Sequence, residues 1–324
     1  MGKEFSFQWH ITDFCNLRCK HCYQDIFDRS RELTYDRLIH IIQDISGFLK
    51  EQGFERLSIN ITGGEPLIYP YINPILKALD EIDIIDEINI ITNGIIMPDI
   101  VLKGRYERLK YLKVSLEGAR EETNDLIRGR GIFKRVIGNL KNTNYNFLLM
   151  FTLAKYNYRE LDDMYRLSQN LGAKGFILER FIPLGEGSKI KDMVLNSKDW
   201  YQVVDRVATW ADLTVEDLLP YKAFYIDFEE NRILGALCNL GESCAVMPNG
   251  DVYPCRRFPL VLGNLSQESF SKIYPKILDF RANFTKDKLK GKCFLCAMED
   301  CIGCRALSFS LFSDSFAEDY QCWL

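Results

Sequence analysis

A chain of 324 residues is long enough for one large domain or two of ordinary size. Its 41 Lys and Arg against 45 Asp and Glu leave a net charge of −4, which argues against a strongly electrostatic nucleic-acid binder. Apolar residues make up 47%, enough for a core, yet no run of about 18 apolar residues predicts a membrane span. The N-terminus has no signal-peptide apolar region, so the expected location is cytoplasmic. There, eleven cysteines point to metal rather than to disulfides, and an odd count fits complete internal pairing poorly.

In chain order, Phe5–Ile11 alternates apolar and polar side chains and reads as a first strand. It runs into Cys15-Asn16-Leu17-Arg18-Cys19-Lys20-His21-Cys22. Thr34 caps a helix whose Leu38, Ile41, Ile42, Ile45, Phe48 and Leu49 follow helical spacing. Leu57–Ile61, Ile88–Thr92, Leu112–Leu116, Phe147–Leu153 and Gly175–Glu179 read as further strands. Helical patterns lie between them at Tyr71–Leu79, around Ile132–Leu140, and from Leu161 to a stop at Gly172. Repeated strand–helix units imply a parallel sheet covered by helices, with the active site at the carboxyl ends of the strands.

The cysteines after the first strand are spaced Cys-x3-Cys-x2-Cys, and thiolates are soft ligands for iron–sulfur clusters and zinc. Three readings of Cys15, Cys19 and Cys22 follow from spacing alone, one being three unrelated thiols. Three thiolates can hold three corners of a [4Fe–4S] cube and leave one iron open. Alternatively they form a zinc knuckle, for which the nearby His21 sits awkwardly between two ligands. Thr62-Gly63-Gly64-Glu65-Pro66 follows the second strand, Thr92-Asn93-Gly94 the third, and Ser115-Leu116-Glu117-Gly118 the fourth. Asp125-Leu126-Ile127-Arg128-Gly129-Arg130-Gly131 reads either as a ligand-binding segment or as a solvated basic turn before a helix.

Eight more cysteines lie in the second half. Cys238 and Cys244 precede Pro248-Asn249-Gly250-Asp251-Val252-Tyr253-Pro254-Cys255, where Asn249-Gly250 is a hairpin signal expected to bring Cys244 and Cys255 together. Cys293-x2-Cys296-x4-Cys301-x2-Cys304 and Cys322 follow. Read alone, these spacings fit structural zinc or iron–sulfur sites.

Taken together, the cysteine loop, the Gly63-Gly64-Glu65-Pro66 segment and Ser115 resemble the radical S-adenosylmethionine (SAM) superfamily, from about Phe5 to the end of the chain. The second half resembles the SPASM extension of its peptide and protein maturases. The resemblance implies a partial (β/α)6 barrel over residues 1–212, a bridging region at 213–236, and a small cysteine-rich SPASM-like domain at 237–324. It implies a SAM-binding [4Fe–4S] cluster on Cys15, Cys19 and Cys22, with Gly63, Gly64, Glu65, Asn93, Ser115 and Arg128 contacting SAM. Two auxiliary [4Fe–4S] clusters are implied as well. Cys238, Cys244, Cys255 and Cys304 hold the inner one, and Cys293, Cys296, Cys301 and Cys322 the outer. The interior spacing is two residues shorter than the family's, but three, four and four thiols account for all eleven cysteines.

The implied activity is reductive cleavage of SAM to a 5′-deoxyadenosyl radical that abstracts hydrogen from an unactivated carbon, with ferredoxin or flavodoxin as reductant. With no free thiol to return a hydrogen, the expected outcome is a net oxidation of a peptide or small-protein side chain, such as thioether or C–C cross-link formation on a ribosomally made peptide. A barrel that starts by about residue 5 leaves no N-terminal winged-helix domain, so the peptide is presented by a separate leader-binding protein or recognised directly. Arg256 and Arg257 follow Cys255, where sulfatase maturases carry an acid; this demotes formylglycine formation and suits an anionic partner. The alternatives are a radical SAM enzyme of heme biosynthesis acting on propionate side chains and, in a different class, a non-enzymatic iron–sulfur electron carrier.

Overall fold

The computed structural model describes residues 2–324. Eleven strands form one sheet: β1 Lys3–His10, β2 Phe54–Thr62, β3 Ile85–Thr92, β4 Leu109–Ser115, β5 Phe147–Leu153, β6 Gly175–Arg180, β7 Ala223–Asp227, β8 Arg232–Ala236, β9 Ser243–Val246, β10 Asp251–Tyr253 and β11 Gly263–Asn264. Their order across the sheet is β11-β10-β9-β1-β2-β3-β4-β5-β6-β7-β8. The helices are α1 Tyr35–Glu51, α2 Ile72–Asp80, α3 Pro98–Val101, α4 Glu121–Arg128, α5 Ile132–Leu140, α6 Leu161–Asn170, α7 Ser197–Ala211, α8 Val215–Leu218, α9 Phe270–Ala282, α10 Lys292–Leu295 and α11 Arg305–Phe312.

Strands β1 to β6 are parallel neighbours in chain order. This is the six-unit α/β barrel that the strand–helix repeat predicts. Each helix that crosses back turns an apolar stripe to the sheet. In α1, Leu38, Ile41, Ile42, Ile45 and Leu49 are buried at helical spacing, and the Thr34 hydroxyl accepts from the Arg37 N–H as the cap. The main core packs these stripes against Phe7, Trp9, Ile59, Ile61, Ile88 and Ile90 of the strands. No helix among the described residues is long and apolar enough to cross a membrane.

Three segments complete the fold. Glu121–Arg128 is a helix that buries Arg128, not a solvated turn, because Asn124, Ile127 and Arg128 fall on one face. Residues 213–236 do not act as a spacer. Thr214 caps α8 with a full capping box, and β7 and β8 then add antiparallel strands beyond β6. At the far edge, the Asn249-Gly250 turn closes the hairpin of β9 and β10, and β9 pairs in parallel with β1. The cysteine-rich region therefore begins inside the same sheet as the barrel.

The C-terminal part docks at two points. Phe270 of α9 packs edge-on against Phe5 and Phe48, at 5.9 and 5.6 Å between ring centroids, while its N–H donates to Asp44 at 2.6 Å. A second core, including Phe258, Phe284, Leu289, Ile302 and Leu307, lies under the cysteines of the C-terminal region.

Candidate active site and its neighbouring thiol groups

Cys15, Cys19 and Cys22 line one cavity at the carboxyl ends of the strands, together with Gly63, Gly64, Asn93, Ser115 and Arg128. Backbone bonds hold the cysteine loop over the sheet. The Gly64 N–H donates to the Thr12 carbonyl at 2.8 Å and the Glu65 N–H to that of Phe14 at 2.9 Å. A Cβ on Gly63 would lie 2.2 Å from the Thr12 oxygen, and one on Gly64 would lie 2.2 Å from the Phe14 oxygen. The glycines are thus required first by the close passage of two backbones, and only their other side faces the cavity.

Glu65 does not line the cavity. It is fully buried, and one carboxylate oxygen accepts from the Leu67 N–H at 3.0 Å and the Thr92 hydroxyl at 2.8 Å. The other accepts from the Asn93 N–H at 2.7 Å. Glu65 is a clamp between the ends of β2 and β3. Through it Asn93 is aimed back at the cysteine loop, where its amide donates to Asn16 at 2.7 Å and lies 3.8 Å from the Cys15 sulfur.

Arg128 enters from α4 and bonds the Ser115 carbonyl and, at 2.9 Å, the Asn93 carbonyl. Its Nε is buried without a partner, a donor left over at the cavity wall. His21 lines the same cavity and pairs through Nε2 with Glu117 at 3.1 Å. Burial pushes the thiols up, Cys19 to about 11 and Cys22 to about 12, so they ionise when a metal takes the proton's place.

The C-terminal thiols form separate groups. Cys293, Cys296, Cys301 and Cys322 line one cavity. Donors point at these sulfurs: Lys222 lies 3.5 Å from Cys301, Arg305 3.7 Å from Cys293, and the Asp319 N–H 3.4 Å from Cys293. Cys238, Cys244, Cys255 and Cys304 line another cavity. The hairpin brings Cys244 and Cys255 near in backbone, yet Cys244 packs in the main core and Cys255 against the second. Among the described residues, no three His, Cys, Asp or Glu side chains converge as ligands of one ion.

Between the first cavity and the Cys255 cavity stand Glu179, Arg180, Arg256 and Arg257, which border both. Arg256 bonds Glu179, and Arg257 lies 3.7 Å from it. Burial would raise the Glu179 carboxyl, but Arg256, Arg257 and Lys113 hold it below its usual range. The two arginines therefore serve an internal acid and the Cys255 sulfur rather than standing free for an anionic partner. Sequence reasoning passed over Glu179 and Arg180, although a charged pair closing an otherwise apolar strand was the available signal. It also missed Asp319, which accepts from Arg180 at 2.9 Å and from the Cys304 N–H at 2.9 Å.

Comparison with known proteins agrees with this layout. Residues 9–168 match the model of the radical SAM superfamily, and residues 238–301 that of SPASM, an iron–sulfur cluster-binding domain. An AdoMet-dependent heme synthase of Methanosarcina barkeri is 27% identical over 97% of this chain and 95% of its own length. The antilisterial bacteriocin subtilosin biosynthesis protein AlbA of Bacillus subtilis is 27% identical over 88% of this chain and 64% of its own. Among solved structures, Streptococcus suis SuiB bound to its precursor peptide SuiA superposes with a TM-score of 0.73, covering 100% of this chain and 77% of that one at 19% identity.

Proposed function

Because this chain belongs to the radical SAM superfamily and carries a SPASM domain, we propose that it is an oxidoreductase that oxidatively modifies a peptide or small-protein side chain. The observation that carries this reading is the grouping of the thiols. Cys15, Cys19 and Cys22 share a cavity with the SAM-contact candidates, and two further thiol groups line cavities that share Arg180 with it.

In this reading Cys15, Cys19 and Cys22 hold a [4Fe–4S] cluster, and Cys293, Cys296, Cys301 and Cys322 hold the outer auxiliary cluster. Cys238, Cys255 and Cys304 belong to the inner one. With SAM bound, the first cluster supplies a carbon radical able to take hydrogen from an unactivated carbon. Gly63, Gly64, Asn93, Ser115 and Arg128 line the space where the nucleotide is held. The free Nε of Arg128 is the donor best placed for a carboxylate. Glu65 acts at one remove, by holding Asn93.

Tyr23, Glu179 and Arg256 line the same cavity and would receive the substrate side chain. His10 packs edge-on against Tyr23 and is held neutral by burial and by the Arg256 charge, its pKa about 3. Arg257, which bonds the Arg180 carbonyl at 3.2 Å, lies near Cys255, and Lys222 donates to the Cys301 sulfur at 3.5 Å; these cations would steady negative charge on the thiolates if clusters were bound there. No cysteine thiol borders the first cavity beyond the three of the loop, which is why net oxidation is favoured over hydrogen return.

Support for a peptide substrate comes from AlbA and from SuiB with its precursor peptide. A second reading, oxidation of tetrapyrrole propionates, is favoured by the near full-length match to the heme synthase. The test is anaerobic reconstitution, reduction and incubation with SAM, first alone and then with candidate peptides or a propionate-bearing tetrapyrrole. Production of 5′-deoxyadenosine with a two-hydrogen mass loss in a peptide supports the proposal. Loss of carbon dioxide from the tetrapyrrole overturns the substrate assignment, and absence of 5′-deoxyadenosine overturns the enzyme reading.

A further inference from the structure

Four cations and one acid, Asp319, line the cavity of the outer thiols. The ammonium groups of Lys286 and Lys292 are engaged by the Cys301 and Cys322 carbonyls, at 2.9 and 3.3 Å. Arg180 is held by Asp319 at 2.9 Å. Lys222 instead reaches a sulfur, 3.5 Å from Cys301, and lies 3.7 Å from Asp319.

A fifth cation reaches the Cys293 sulfur. Arg305, the first residue of α11, is fully buried. One terminal nitrogen donates to the Ser315 and Ala317 carbonyls at 2.9 and 2.8 Å, the other lies 3.7 Å from Cys293 Sγ, and Nε has no partner. Among the described residues Arg305 forms no ion pair; Asp314, which feels its charge, is bonded to Lys290 at 2.6 Å. Gly303 makes the room, since a Cβ there would lie 2.5 Å from the guanidinium. A guanidinium is not deprotonated in a protein, and a buried charge left without a counter-charge is strongly destabilising. Metal binding deprotonates thiols, so anionic sulfurs at this site answer Arg305, and the donor set fits an iron–sulfur group.

The inner group is balanced differently. Arg257 lies near Cys255 but also 3.7 Å from Glu179. The Asp319 carboxylate accepts from the Cys304 N–H at 2.9 Å, which sets a negative charge beside an inner thiol, while its own N–H faces the Cys293 sulfur at 3.4 Å. Asp319 thus turns its charge toward the inner group and its N–H dipole toward the outer one.

We propose that Arg305 and Lys222 are positioning residues that raise the reduction potential of the outer auxiliary cluster above that of the inner one. Reduction adds one electron and no atom, so the reduced form carries one more negative charge. Cations and hydrogen bonds at the sulfurs favour that form. The outer sulfurs receive two cations and an N–H, whereas the cation near Cys255 is shared with Glu179. An electron free to choose between the two groups therefore rests on the outer one. This inference rests on the assignment of auxiliary clusters to these thiols.

The test is stepwise anaerobic reduction with dithionite at measured potentials, read by low-temperature EPR, with iron and sulfide counted per chain. It uses the reconstituted full chain carrying C15A/C19A/C22A, in which only auxiliary signals remain, and added C296A marks the outer signal by its loss. R305Q and K222Q remove charge, R305K and K222R keep it, and K276M alters an exposed lysine of α9 as the control. The expected result is full iron in all five, with the outer signal's ratio of reduced to oxidised form, at the parent's midpoint, falling about tenfold in R305Q and in K222Q, a shift of about 59 mV for one electron. R305K, K222R and K276M keep the parent's midpoint, and in the parent the outer midpoint lies above the inner. An unmoved outer midpoint in R305Q and K222Q, an equal fall in R305K and K222R, or an inner midpoint above the outer overturns the inference. Loss of iron from both R305Q and K222Q also overturns it, since the two residues would then hold the site together rather than tune it. Absence of any iron in the C15A/C19A/C22A chain would instead overturn the assignment of clusters to these thiols.

Discussion

Removing the carboxylate of Asp319 should cost this protein a large share of its stability. Asp319 and Arg180 are both almost fully buried, with side chains 1% and 3% exposed, and they meet at 2.9 and 3.1 Å. Lys222 lies 3.7 Å away, and the N–H groups of Cys304 and Gln321 donate to the same carboxylate at 2.9 and 3.1 Å. The D319A change strands a buried guanidinium whose Nε already lacks a partner, and it orphans two backbone donors. Breaking a buried pair from one side costs about 3–5 kcal/mol, a large part of the roughly 5–15 kcal/mol that holds a domain together. Burial would raise the Asp319 carboxyl, but Arg180, Lys222 and the two N–H donors hold it far below its usual range. Its stabilisation is therefore complete above the unfolded-state value near 4 and is lost as pH falls below that. Urea unfolding followed by tryptophan fluorescence is a direct assay, because Trp200 sits 4.4 Å under the Arg180 guanidinium. The expected result is a drop of about 3–5 kcal/mol for D319A at pH 7, a gap that narrows below about pH 4, and partial recovery in the R180M/D319A double variant. A D319A curve superimposable on the parent's at pH 7, or a gap that widens in acid, would refute the reasoning.

Two further outcomes follow from the first cavity. In E65Q an amide N–H₂ faces either the Asn93 N–H or the donors of Leu67 and Thr92, leaving a buried donor unsatisfied at about 1–3 kcal/mol. SAM affinity should fall about tenfold or more while iron content stays that of the parent; unchanged SAM binding by equilibrium dialysis would exclude the clamp role. In G64A the new Cβ meets the Phe14 and Asp13 carbonyl oxygens at 2.2 and 2.6 Å, so stability should fall by about 1–3 kcal/mol with poor iron incorporation. G138A, on open helix surface, is the control. Equal melting and equal iron in G64A and G138A would show that the backbones do not pass as closely as described.

What could be read from the amino acids alone was what is local in sequence. The Cys15–Cys22 spacing, the Thr34 cap, the Asn249-Gly250 turn and the apolar strand–helix alternation each depend on residues a few positions apart, whose geometry is set by backbone periodicity. Those features determine the six-unit barrel and the places where its loops carry thiols and glycines. What only the tertiary structure decided depends on partners far apart in the chain. Glu179 is tied to Arg256, Arg180 to Asp319, Glu65 to Asn93, and Gly64 packs against Phe14. The side of the sheet on which Cys244 lies is of the same kind. It was fixed when β9 chose its register on β1, since a shift of one residue reverses every side chain while leaving the spacing of the cysteines untouched.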